Sequence, residues 1–106
     1  MHQGGETGMR IAKKYISAKY HHIMIQGIAK EKIFSSVSDI NFYKKILSNY
    51  LLQCDLKIIS YCFMSNHLHM IVFSENIEEI SKFMHMVNTE FAVYYNRKYE
   101  RVRICV

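Results

Sequence analysis

Two histidines separated by a single residue, His67 and His69, are the side chains in this sequence best suited to chemistry. They begin an apolar run that ends at Phe73, and alternate residues of a β-strand point to the same face. The two imidazoles would then lie side by side, with Cα atoms about 7 Å apart. That spacing suits one divalent cation such as Mg²⁺, Mn²⁺ or Zn²⁺, with further ligands from elsewhere. A pair of half-buried, hydrogen-bonded histidines explains the same pattern without a metal.

A hairpin is needed to position these histidines. Two short apolar runs, residues 58–64 and 68–73, are rich in β-forming residues and contain no Gly or Pro. They flank Ser65 and Asn66, which we interpret as turn residues. The alternate residues of the second strand are apolar and would face the core: Leu68, Met70 and Val72.

An earlier strand is predicted over Tyr20–Gly27. Regular alternation gives this strand two different faces. Gly27 would end the strand or permit a close approach of another backbone segment. The more polar face, which we expect to be the face of the site, carries Tyr20, His22, Met24 and Gln26.

Two amphipathic helices are predicted from apolar residues that recur every three or four positions. The first covers residues 39–54 and the second covers residues 77–98. Methionine and phenylalanine in these stripes are expected to be core residues. The residues expected to cap the helices are Ser38 and Asp39 for the first and Asn76 with Glu79 for the second.

The order strand, helix, strand, strand, helix predicts an α+β protein with an antiparallel sheet. It matches the first five elements of a ferredoxin-like split β-α-β fold, with the final strand absent or reduced to a stub. The first and third strands of this topology are central neighbours, which would bring His22 and Gln26 onto the face of His67 and His69. Without the fourth strand, the edge beside the first strand would be open to pairing with another chain.

The composition describes one basic domain. Lys and Arg outnumber Asp and Glu by 14 to 9, a formal charge of +5 that favours an acidic partner such as nucleic acid or simply a basic surface. The odd number of cysteines, Cys54, Cys62 and Cys105, and the lack of a signal peptide indicate a reducing, cytoplasmic setting. No apolar run approaches the ~20 residues of a membrane span, so we expect no membrane insertion.

The glycine-rich residues 1–8 are expected to be a disordered leader or an expression remnant, followed by a single domain over residues 9–106. The next residues alternate basic and aromatic side chains, a pattern that suits a nucleic-acid backbone or a solvated arm. The basic residues of this arm are Arg10, Lys13, Lys14 and Lys19.

Three blocks of the sequence, taken together, carry a family resemblance. They are residues 20–27 (Tyr-His-His-Ile-Met-Ile-Gln-Gly), residues 61–72 around Ser-Asn-His-Leu-His, and residues 94–102. In their order and intervals they resemble the single-tyrosine HUH transposases, in the branch with the REP-associated tyrosine transposases and insertion-sequence transposases. The resemblance covers about residues 9–102.

The resemblance implies a metal-dependent endonuclease that acts in DNA transposition on single-stranded or hairpin DNA. His67 and His69 would be the ligands of the cation, with Mg²⁺ or Mn²⁺ expected. A tyrosine would attack the phosphodiester and remain linked to the DNA 5′ end, so that strand joining needs no ATP. The family also implies a homodimer.

The end of the sequence departs from the family pattern. Family members continue with a further strand and a helix that bears the nucleophilic tyrosine, whereas this sequence ends with residues 102–106. We therefore expect the chain to lack the nucleophile. Tyr95, which with Lys98 resembles the Tyr-x-x-Lys of replication initiators, is the remaining candidate, although its block aligns better with the structural second helix.

Three hypotheses follow. The first is a transposase-family protein with the metal site and a DNA-binding surface. The second is a non-catalytic single-stranded nucleic-acid-binding module, with Tyr20 or Tyr61 stacking on bases from the open sheet face. The third is a folded remnant without activity. The candidate DNA-binding residues are Arg10, Lys13, Lys14, Lys19, Arg97, Lys98, Arg101 and Arg103.

Overall fold

Four antiparallel strands and two α-helices make up the part of the chain that the computed structural model describes, residues 9–15 and 19–100. The elements are β1 (Met9–Tyr15), β2 (Tyr20–Gly27), a 3₁₀ turn (Ile28–Lys30), α1 (Val37–Leu51), β3 (Lys57–Phe63), β4 (His67–Phe73) and α2 (Ile77–Lys98). Within these residues, neither helix is long and apolar enough to cross a membrane.

The sheet has the strand order β1-β2-β4-β3. The two strands predicted to be central neighbours, β2 and β4, do lie together, and the predicted α+β class is confirmed. The hairpin between β3 and β4 turns at the predicted position, because the Met64 amide donates to the His67 carbonyl oxygen across Ser65 and Asn66 at 2.8 Å.

The N-terminal strand β1 was not predicted. Its residues, expected to form a basic arm, pair with β2 from Met9 opposite Gly27 to Tyr15 opposite His21. This ladder covers the edge of β2 that a missing fourth strand was expected to expose, so the observed order has one strand more than the prediction. The leader at residues 1–8 and the end at residues 101–106 lie outside the described residues.

Both helices have the predicted apolar stripes, but their caps differ from the prediction. Helix α1 begins two residues earlier, at Val37, and its cap is Ser36, whose Oγ accepts from the Asp39 amide at 3.3 Å. Helix α2 has the predicted bounds and Asn76 as its cap. Glu79 does not complete a capping box; its carboxylate accepts from the Asp55 amide at 3.0 Å.

The hydrophobic core lies between the helices and one face of the sheet. Its strand residues alternate with polar neighbours, as the sequence pattern required. The helices cover only this face, so the other face of β2 and β4 remains half-exposed. The largest fully buried side chains include Ile23, Ile25, Tyr43, Ile46, Leu68, Met70, Val72, Ile80, Phe83, Met84, Val87 and Phe91.

The loop after β2 packs against the turn that precedes the histidines. The Gly27 amide donates to the Asn66 carbonyl oxygen at 3.0 Å, and the amides of Ile33 and Phe34 both donate to the Ser65 carbonyl oxygen. A Cβ at Gly27 would lie 1.9 Å from the Glu31 carbonyl oxygen. The glycine therefore permits the close backbone approach that was predicted as one of its two roles.

Candidate metal centre

The register of β2 and β4 brings the histidines together on the open face of the sheet. Met24 lies opposite His69 and Gln26 lies opposite His67. His22 belongs to the same face, two residues before Met24, and all of these side chains are half-buried. We call this surface, formed by the open side of β2 and β4, the histidine face.

The rings of His67 and His69 are close enough to share an ion. Their centroids are 4.8 Å apart and their planes are nearly perpendicular, at 87°. With metal–nitrogen bonds of about 2.0–2.1 Å, two imidazoles on one ion have ring centroids roughly 4.5–5.2 Å apart. The observed separation is compatible with two ligands of one divalent cation.

The Nδ1 atom of each histidine already has a hydrogen-bond partner. Nδ1 of His67 donates to the Asn66 side-chain oxygen at 2.7 Å. Nδ1 of His69 lies 3.0 Å from Nε2 of His22, and these two rings are nearly parallel, at 15°, with centroids 5.2 Å apart. The sequence predicts Asn66 only as a turn residue, because a turn asparagine and an asparagine that binds a histidine ring look the same in one sequence.

The environment of His69 favours its neutral form. Burial lowers the pKa of its imidazole, and the neighbouring His67 and His22 lower it further because a second positive charge would be repelled. A neutral imidazole is the form that can bind a metal ion.

The protein supplies few further ligands at this place. Within residues 9–15 and 19–100, no group of three or more His, Cys, Asp or Glu side chains is arranged to hold a metal ion. His22 contacts His69 through its Nε2 atom. An ion between His67 and His69 would therefore complete its shell with water or substrate oxygen atoms.

A cavity of about 280 Å³ lies beside the histidines on the same face. It runs towards the edge strand β3, where Cys62 is the residue directly opposite His69. The Cys62 thiol is exposed. The lining residues that belong to this face are His22, Ser60, Cys62, His69 and Ile71.

A family model described as "Transposase IS200 like" matches residues 9–105. The chain belongs to the IS200-like transposase family. Membership supports a function in DNA transposition. Neither a curated protein nor a solved structure is similar enough to this chain to count as a match.

One aromatic side chain lies on the other side of the sheet from where we expected it. Tyr61 is opposite Met70, so it belongs to the helix-covered face. Its ring lies 5.3 Å from the Lys44 ammonium nitrogen of α1. The turn at Ser65 and Asn66 already determines this pairing. Counting residues outwards from the turn along β3 and β4 places Tyr61 opposite Met70, on the helix-covered face. Tyr20, by contrast, does lie on the histidine face, 44 % exposed and packed edge-on against Phe73.

The predicted DNA-binding residues that the structure describes lie on different elements. Lys19 is exposed and lies 3.5 Å from Glu75. In the register, Arg10 is opposite Gln26 and Lys14 is opposite His22, while Lys13 is opposite Ile23. Arg97 is exposed on α2, on the helix side of the sheet. Arg101 and Arg103 lie outside the described residues.

Lys98 is bound within a polar cluster that was not predicted from the sequence. Its Nζ lies 2.9 Å from the carboxylate of Asp39, which is fully buried. The same carboxylate accepts from the hydroxyls of Tyr94 and Tyr99 and from the Ser35 amide, at 2.7–2.9 Å. We call these five residues the Asp39 cluster. The sequence predicts only a capping role for Asp39, because a position near a helix start explains an acidic residue equally well.

Tyr95, the candidate nucleophile, is also placed on the helix side. Its ring is in the core and 9 % exposed, and its hydroxyl lies 2.5 Å from Ser35 Oγ. The sheet separates it from His67 and His69. The structure does not bring Tyr95 and the two histidines together.

Proposed function

We propose that this IS200-like transposase binds single-stranded or hairpin DNA across the histidine face and holds a divalent cation between His67 and His69 for strand cleavage and joining. The observation that carries the proposal is the pair of neighbouring imidazoles on an uncovered sheet face, in a chain of a transposase family. A substrate can reach such a face, whereas the opposite face is filled by the core.

The cation is Mg²⁺ or Mn²⁺ in this proposal. A hard cation with only two protein nitrogens keeps coordination positions for water and phosphate oxygen. It would polarise the scissile phosphate and stabilise the charge that develops there. The residues that hold it are His67 and His69; His22 and Gln26 flank them on β2.

The DNA contacts we propose lie along β1 and β2. Tyr20 is exposed enough to stack on a base, and Lys19 beside it can approach a phosphate. Arg10 and Lys14 occupy β1 positions opposite Gln26 and His22. Because phosphate contacts release counterions, binding should weaken as salt rises.

We assign the nucleophile to none of the described tyrosine side chains. Tyr95 and the tyrosines of the Asp39 cluster lie on the helix side. Tyr20 is on the histidine face but stands four residues, about 13 Å, along β2 from the position opposite His69. In this proposal the described residues bind metal and DNA, and they do not cleave without a nucleophile from elsewhere.

The test measures Mn²⁺ binding and hairpin-DNA binding in the same variants. We expect the double variant His67→Ala, His69→Ala to lose Mn²⁺ binding, detected by electron paramagnetic resonance of the free ion, and to lose the Mn²⁺-dependent part of its DNA affinity. The matched control is His85→Ala, which removes an exposed histidine from α2. Retention of Mn²⁺ binding in the double variant contradicts the proposal.

The second candidate function is a non-catalytic module that binds single-stranded nucleic acid. The observation that favours it is the hydrogen bonding already made by the rings: His67 to Asn66 and His69 to His22. Such satisfied histidines need no ion. DNA binding that is equal with and without Mn²⁺, and equal in the double variant, would select this function.

A further inference from the structure

We propose, resting on the function above, that Asn66 and His22 are positioning residues. They hold His67 and His69 in the tautomer that carries its proton on Nδ1, so that both Nε2 atoms present a lone pair to the cation. The observation behind this proposal is that each Nδ1 atom has a hydrogen-bond partner, Asn66 for His67 and His22 for His69. Neither partner serves as a ligand itself.

The contact at His67 fixes its tautomer directly. The Asn66 side-chain oxygen can only accept, so Nδ1 of His67 carries the proton, and in a neutral imidazole the other nitrogen then has the lone pair. The backbone of Asn66 is itself held in place, since the main-chain carbonyl oxygen of Asn66 accepts a hydrogen bond from the Gly27 amide. The neighbouring Ser65 carbonyl oxygen accepts two further amides of the loop. The acceptor is therefore anchored by the backbone around it.

The contact at His69 allows two arrangements, and only one makes a ligand of its Nε2. Two nitrogens 3.0 Å apart share a single proton. If His22 donates, His69 keeps its proton on Nε2 and offers no lone pair there. If His69 donates, Nε2 is free, and His22 acts as the acceptor that metal-binding histidines usually have at their second nitrogen.

The place of His22 in the sheet supports the acceptor role. The two rings are nearly parallel, at 15°, and β2 pairs with β4 along its whole length. The nearly parallel ring planes align the two nitrogens for this hydrogen bond, and the paired strands hold the His22 ring beside His69. Since no described group of three side chains can hold an ion, His22 is better explained as a support for His69 than as a third ligand.

The first measurement reads the tautomers without metal. Long-range ¹H–¹⁵N correlation spectra of the labelled full chain show which ring nitrogen carries the proton. We expect Nδ1–H at both His67 and His69. Asn66→Ala should release His67 alone, and Asn66→Asp, which keeps an acceptor oxygen, should restore it. His22→Phe keeps an aromatic ring without the acceptor nitrogen and should release His69 alone.

The second measurement is the Mn²⁺ affinity of the same variants, with thermal unfolding to verify that each is folded. Loss of such a supporting contact typically weakens metal binding 10–100-fold, and we expect that loss in Asn66→Ala and in His22→Phe. His85→Phe on α2 is the matched control and should bind as the wild type does.

Two results overturn the inference: a proton on Nε2 of His67 or His69 in the wild type, or unchanged Mn²⁺ affinity in both Asn66→Ala and His22→Phe. A wild-type chain that binds no Mn²⁺ refutes the proposed function instead. In that case the metal-free spectra still decide whether Asn66 and His22 fix the two tautomers.

Discussion

Replacing Asp39 by alanine tests whether the Asp39 cluster stabilises the packing of α1 on α2. The change removes a buried acceptor that receives hydrogen bonds from Lys98, Tyr94, Tyr99 and the Ser35 amide. Breaking a buried ion pair costs about 3–5 kcal/mol, and we expect about 3 kcal/mol here because Lys98 can turn to solvent. Its side chain is 34 % exposed. The free energy of unfolding, from urea titration followed by circular dichroism, measures the loss.

The matched variant is Lys98→Met, which removes the cation and leaves the other three donors on the carboxylate. Because the two tyrosine hydroxyls and the Ser35 amide still donate to the carboxylate, we expect this variant to lose less stability than Asp39→Ala. Equal losses in Asp39→Ala and Lys98→Met would refute the reasoning that the hydrogen bonds, rather than the charge pair, carry the stability. A loss below about 1 kcal/mol in Asp39→Ala would refute the stabilising role itself.

The same carboxylate makes a definite prediction for pH. Burial alone would raise the pKa of Asp39, but the hydrogen bonds from Lys98, Tyr99, Tyr94 and the Ser35 amide outweigh it and lower the pKa. A lowered pKa means that the stabilisation is present above the unfolded value, about 3.9, and is lost as pH falls through the folded value. The difference in unfolding free energy between wild type and Asp39→Asn should therefore be constant near neutral pH and shrink below about pH 4.

Two further predictions concern the histidine face and the loop beside it. Gly27→Ala should destabilise the chain by roughly 1–3 kcal/mol, since its Cβ would collide with the Glu31 carbonyl oxygen; an unchanged melting temperature would contradict this. Tyr20→Ala should weaken binding of single-stranded DNA by about 1–3 kcal/mol through lost stacking, whereas Tyr61→Ala, on the helix-covered face, should not. Equal effects in a fluorescence-anisotropy titration would place the DNA elsewhere.

The sequence predicted those parts of the fold that depend on periodicity. The alternation of polar and apolar residues in β2 and β4 placed His22 and His69 on the face opposite the core residues. It does so because one face of each strand is buried and the other is not. The strand β1 escaped prediction because its stability comes from the ladder with β2, and a run with few apolar residues carries no periodic signal.

Side-chain partners could not be predicted in the same way. The contact between Asp39 and Lys98 joins residues 59 positions apart, at the start of one helix and the end of another. Helix capping already explains an acidic residue at this position. Nothing in a single sequence therefore indicates that Asp39 has a distant partner. The contact between Asn66 and His67 is adjacent in the chain, yet it depends on a rotamer that the turn sequence does not specify.

The loop at residues 28–36 connects the histidine face with the helix layer. At one end, Ile33 and Phe34 donate to the Ser65 carbonyl oxygen, next to the asparagine that binds His67. At the other end, Ser35 bonds to Tyr95 and to Asp39. The loop that contacts the turn before the histidines therefore also contacts both helices. The positions of His67 and His69 follow from the register of β4. The turn before them is also tied, through this loop, to the helices on the other side of the sheet.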